Sequence, residues 1–172
     1  MADGLSVFRS KYLNATTWAQ RKDGVPLYLL DELTPQERTI AEQELIESAS
    51  LKDSWSIIGL GHICSEKSLR ILYTLFDESA SFLKIIIAHS IFQINKDPKM
   101  APAVLQELSM SGSWHVSSLI DILYMLPDFQ DAAINRQLEC FSNSTNYLIA
   151  YNATSVLGRP TEPVVKKFST RK

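Results

Sequence analysis

Residues Ser54–Cys64 read Ser-Trp-Ser-Ile-Ile-Gly-Leu-Gly-His-Ile-Cys, and their pattern returns three times further down the chain. Ile57, Leu60 and Ile63 form a triplet spaced by three. In steps of 31 residues the same positions hold Ala88, Ile91 and Ile94, then Leu119, Ile122 and Met125, then Ala150, Ala153 and Val156. All twelve are apolar in a chain that is 45% hydrophobic, so chance is a poor explanation. Residues three apart share a helix face, and each triplet reads as the buried stripe of one helix. The interval between triplets leaves room for one further helix and two short turns. Those intervening helices repeat in steps of 33, with Leu72, Leu105 and Leu138 in one register and Leu75, Leu108 and Phe141 in another. A fixed period of roughly 20–50 residues marks a stacked helical array.

Working outward, the pattern predicts paired helices over residues 53–63, 66–77, 80–94, 98–110, 113–126, 130–142 and 145–157. Turn and cap residues separate them, among them Asn95 to Pro98 and Ser111 to Ser113. Gly59 and Gly61 each cost about 1 kcal/mol of helix propensity, and the expected return is close approach of a neighbouring helix. A first helix starts at Thr34, with Pro35 at its first turn and Glu37 completing a capping box, and runs to Ser50. Ile40, Ala41, Leu45 and Ala49 are its expected inner stripe. Upstream, Leu5, Phe8, Tyr12 and Leu13 fit a short amphipathic helix whose apolar side Trp18 extends, and Val25–Leu30 reads as a strap over the first repeat. The organisation is therefore an N-terminal helix and capping strap over 1–33, repeats of about four helix pairs over 34–158, and a basic, mobile tail over 159–172.

Charge divides unevenly along this plan. The whole chain carries a formal net charge of -2. From Asp31 to Asp53, seven acids face only Arg38 and Lys52, a local net of -5. From Arg159 onward, five basic residues face one acid, leaving about -6 on the rest. A polyanion needs Lys and Arg to displace its counterions, so this acidic body argues against nucleic acid. No apolar run reaches the roughly 18 residues of a membrane span, and the polar N-terminus lacks a secretory pattern. A cytoplasmic home follows as the default, with no membrane partner. Cys64 and Cys140 have no metal or redox spacing and are expected as small buried thiols.

The run Ile57–Ile63 followed by Ser65–Leu72 resembles the second helix of a HEAT-like repeat passing into the first helix of the next. Ala88–Ile94 and Leu119–Met125 fit more loosely, with Phe92 and Leu123 where the run has Gly. The register in which such repeats carry a ladder of Asp and Arg holds Asp53, Lys84, His115 and Asn146 here. The resemblance covers residues 34–158 and implies an all-α fold, a short right-handed α-α superhelix of the HEAT-like, armadillo-type kind. Some relatives of this class are DNA glycosylases, and those rely on a positive concave face.

Catalytic signatures are absent from the sequence. His62, His89 and His115 match no local zinc motif, and no Gly-x-Ser-x-Gly, phosphate loop or His-Glu-x-x-His occurs. Asp121 is expected as a buried acid in a polar contact between repeats. The reading is no enzyme, no metal and no cofactor. Paired-helix arrays offer an extended concave surface to proteins. Rows flanking the buried triplets hold His62, Gln93, Tyr124 and Ser155, then Ile58, His89, Ile120 and Tyr151, then Ser54, Ile85, Val116 and Tyr147. The expected function is protein binding, by a monomer or weak dimer. Its concrete form resembles an immunity-type inhibitor that sequesters a basic toxin domain through an acidic, concave face. The expected partner-binding residues are Glu37, Glu44, Glu47, Asp53, His62, His89, Gln93, Tyr124 and Tyr151. The alternatives are a HEAT-like lyase or DNA glycosylase with a pocket in the concavity, and a scaffold subunit.

Overall fold

The computed structural model describes residues 3–170, and no strand occurs among them. The helices are α1 (Gly4–Phe8), α2 (Trp18–Arg21), α3 (Tyr28–Asp31), α4 (Pro35–Ser48), α5 (Ser54–His62), α6 (Leu69–Glu78), α7 (Ser81–Asn95), α8 (Met100–Leu108), α9 (Val116–Leu123), α10 (Ala132–Ser142), α11 (Tyr147–Val156) and α12 (Glu162–Ser169). The chain divides into two compact units. One comprises Met1–Ser79 with Ser90–Asp97, the other Ala80–His89 with Pro98–Lys172. The split falls within α7, whose early turns belong to the second unit and whose last turns belong to the first.

In the first unit α1 lies against α3 and α4, and α4 lies against α5. The starts are set locally. Thr34 accepts from the Glu37 amide while the Glu37 side chain accepts from the Thr34 amide, and Pro35 occupies the first turn of α4. That reciprocal pair satisfies donors a helix start otherwise leaves open. Thr17 and Gln20 build the same device at α2, and Asp53 caps α5. In the second unit α11 contacts α9, α10 and α12, and α10 contacts α8. Asp131 and Asn146 cap α10 and α11 through two backbone amides each.

The repeated triplet is visible in the burial of both units. Ile57, Leu60, Ala88, Ile91, Leu119, Ile122, Ala150 and Ala153 are all buried. The third positions, Ile63, Ile94, Met125 and Val156, are half-buried, because they fall in the last turn of a helix or just beyond it. Each fully buried Leu or Ile contributes roughly 1.5–3 kcal/mol. The ladder register has a different meaning from the expected one. Asp53, His115 and Asn146 are the N-caps of α5, α9 and α11. Lys84 lies inside α7, which begins at Ser81, one turn early in that register.

Several expectations are corrected. Ile40 is exposed, because α4 turns only Ala41 and Leu45 fully inward. Trp18 is 80% exposed and extends no apolar face. The strap is helical at Tyr28–Asp31 and buries Leu29 and Leu30 beneath an exposed Tyr28. Cys64 and Cys140 are exposed, the first just past the end of α5 and the second in the last turn of α10. Asp121 is exposed as well, and partial loss of hydration raises its carboxyl above the usual value. Within the segment read as a basic, mobile tail, Glu162–Ser169 forms α12, which sets the Phe168 ring against Tyr147 at 5.4 Å.

Candidate functional site

The acids expected to form one face are engaged inside the first unit. Glu37, besides capping α4, accepts from the Leu5 amide at 3.2 Å and so ties α1 to α4. The hydrogen bonds from Thr34 and Leu5 hold its carboxyl below the usual range. Glu44 accepts from Arg9 Nε at 2.9 Å. Asp53 pairs with Arg21 Nη1 at 2.9 Å and also with Nη2, and it accepts from the Trp55 amide at 3.0 Å. Partial burial works against the Asp53 charge, but Arg21 and the amide outweigh it and depress the pKa. The neighbouring Glu42 binds Lys67 Nζ at 2.6 Å and Ser65 Oγ at 2.7 Å. Glu47, which caps no helix, accepts from Gln43 Nε2 at 2.8 Å. The stretch therefore reads as acidic in sequence and as a set of cross-links in space.

The remaining expected residues fall in both units. In the first, His62 Nε2 lies 2.8 Å from Asp31 Oδ1, joining the end of α5 to α3. Gln93 is half-buried on α7, with its carbonyl 3.9 Å from Cys64 Sγ. In the second unit His89 is buried, with Nε2 2.8 Å from Asp128 Oδ2 and its ring 5.8 Å from that of Phe129. It belongs to the interior and offers no free edge to a macromolecule. Tyr124 and Tyr151 come to one neighbourhood. Tyr124 Oη donates to Asn152 Oδ1 at 2.9 Å, and Asn152 Nδ2 donates to the Leu148 carbonyl at 2.8 Å. The Tyr151 ring lies 5.7 Å from that of Tyr147.

Together these make a ridge on the solvent side of α11. Leu148 is 50% exposed and Tyr124 is 55% exposed, with Tyr147 also exposed. No family model, no curated protein and no solved structure matches the chain. The site is thus read from its own residues. Among the described residues no three His, Cys, Asp or Glu gather as a metal requires, and no helix is long and apolar enough to cross a membrane. Leu148 was missed in sequence because it falls outside the three rows that flank the triplets. Its signal was present, since Tyr147-Leu148 opens α11 with two large side chains ahead of the buried Ala150.

A concavity lies in the first unit, between the segment that follows α1, α2 and the turn into α3. It is a cleft of about 480 Å³ lined by Lys11, Gln20, Asp23, Pro26 and Tyr28, among others. Its walls are fixed from behind. Tyr12 Oη donates to the Trp55 carbonyl at 2.8 Å, and burial raises the pKa of that hydroxyl. Arg21 donates to the Ala15 carbonyl at 2.6 Å and lies 4.5 Å over the Trp55 ring. Gly24 takes φ 84, which glycine adopts without a Cβ penalty, and so turns the chain between α2 and α3.

Proposed function

We propose that this chain is a protein-binding helical-repeat module. In its concrete form it is a HEAT-like solenoid that acts as an immunity-type inhibitor of a basic toxin domain. The observation that carries the reading is the ridge on α11 and α9. Tyr124, Tyr147 and Leu148 stand at the surface beside a half-buried Tyr151, and the Tyr124–Asn152–Leu148 hydrogen bonds hold part of it in place. Tyrosine and large apolar groups that are rigid before binding suit an interface, because little side-chain freedom remains to be lost. The buried triplet common to both units supports the repeat architecture. The first unit carries thirteen acids against nine basic residues, and that excess would speed capture of a basic partner.

The test uses the wild-type chain and L148D as parallel baits in extract of the native host, followed by kinetics with the purified protein recovered. A partner held by wild type and bound at least about 30-fold more weakly by L148D supports the reading. A partner bound equally by both overturns the ridge as the interface. A partner that is acidic overturns the toxin version.

A further inference from the structure

We propose that the cleft of the first unit is a binding site for a zwitterionic ligand of dipeptide size with an apolar or aromatic side chain. The proposal stands apart from the ridge on the second unit. Its volume of about 480 Å³ falls within the range of roughly 300–1,000 Å³ typical of small-molecule sites. Lys11 and Asp23 line the same cleft, yet among the described residues neither belongs to an ion pair. Elsewhere in this unit Arg9, Arg21 and Lys67 each find a carboxylate. Two opposite charges that line one concavity without pairing are complementary to a molecule bearing both.

The other lining groups fit the same ligand. Gln20 Oε1 accepts from the Thr16 amide, the Thr17 amide and Thr17 Oγ1 at 3.1, 3.0 and 2.8 Å. That engagement fixes the amide plane and leaves the Nε2 hydrogens for a carboxylate. Lys11 supplies its countercharge, and Asp23 accepts from an ammonium. Tyr28 is 55% exposed and, with Pro26, gives an apolar wall. Three of the lining residues sit beside anchored ones: Lys11 beside buried Tyr12, Gln20 beside Arg21, Tyr28 beside buried Leu29. A preorganised site loses less freedom on binding.

The experiment is an amide-shift titration of the full chain with phenylalanyl-leucine, its N-acetyl form and its C-terminal amide. The free dipeptide is expected to bind with Kd below about 1 mM, shifting residues 10–28, and each blocked form about tenfold more weakly. K11Q is expected to lose discrimination against the amide, and D23N against the acetyl form. Both side chains are exposed, so circular dichroism should be unchanged in either variant. Equal binding of all three ligands, shifts centred outside the cleft, or no saturable shift up to about 10 mM would each overturn the proposal.

Discussion

Gly61→Ala tests the packing of α5 on the last turns of α7. Alanine is the better helix former by about 1 kcal/mol, so propensity alone favours the change. The geometry opposes it. A Cβ on Gly61 would lie 2.7 Å from Gln93 Oε1, 2.8 Å from Ser90 Cα and 2.8 Å from Ser90 Cβ. Ordinary carbon contacts are about 3.5–4.0 Å, so α5 and α7 would have to part by nearly 1 Å. The Gln93 amide can swing aside, but Ser90 Cα is backbone and moves only with its helix. Overpacking of this kind costs about 1–3 kcal/mol, and a rigid backbone neighbour places it at the upper end. Net of the propensity gain, G61A should lose about 2 kcal/mol. The assay is urea unfolding followed by fluorescence of Trp55, which is buried on α5 in the same unit. Gly112→Ala is the control, since nothing lies within 4 Å of its added Cβ. If G61A proves as stable as wild type, the claim that glycine at this position admits α7 is wrong.

Tyr12→Phe removes the buried hydrogen bond to the Trp55 carbonyl and should cost about 1 kcal/mol at neutral pH. Burial raises the folded pKa of Tyr12 above the ordinary tyrosine value. Stability from this group is therefore complete below about pH 10 and falls as pH rises toward the folded pKa. Y12F should flatten that alkaline limb in pH-dependent melts. Asp53→Ala deletes the cap of α5 and the partner of Arg21, for a loss of about 1–2 kcal/mol. The Asp53 pKa is depressed, so its contribution is present above about pH 4 and fades as pH falls through the folded value. The acid limb of D53A should be correspondingly shallower. Phe168→Ala removes the ring contact with Tyr147 while α12 buries no residue fully. Thermal unfolding should show a loss of about 1 kcal/mol, and a loss beyond about 3 kcal/mol would make α12 part of the core.

Periodic features were the legible ones. The step of 31 found the eight most deeply set triplet positions because burial on a helix recurs with its turn. The cap at Thr34 was readable because its chemistry is confined to four consecutive residues. Ile40 shows where the method stops. An apolar residue beside Ala41 fits an inner stripe on spacing alone, and only the position of α1 and α5 decides which edge of the stripe stays wet. The division within α7 left no mark in composition, since apolar residues run through both parts of that helix, at Ile85–Ala88 and at Ile91 and Phe92. The cleft was hidden for a related reason. Lys11, Gln20 and Asp23 look like ordinary surface residues until Tyr12 and Arg21, their neighbours, anchor the segments to Trp55.

The acidic stretch carries the sharpest lesson about charge. Counting acids over residues 31–53 samples one segment, whereas the field at a surface depends on what lies across from it. Arg9, Arg21 and Lys67 all come from outside that segment, and they neutralise Glu44, Asp53 and Glu42. Charge reversal at Glu44 would therefore do two things at once. It would alter any steering of a basic partner, and it would set a cation against Arg9. A slower association by E44K could not be assigned to either effect. Glu47 is the cleaner position, because its carboxylate holds only the Gln43 amide and ties no two helices together. E47K should leave urea unfolding within about 0.5 kcal/mol of wild type. If the acidic edge steers a basic partner, E47K should still reduce its on-rate at low salt, and the difference should vanish as salt rises. An on-rate unchanged at low salt would remove electrostatic capture from the account and leave the α11 ridge to bind unaided.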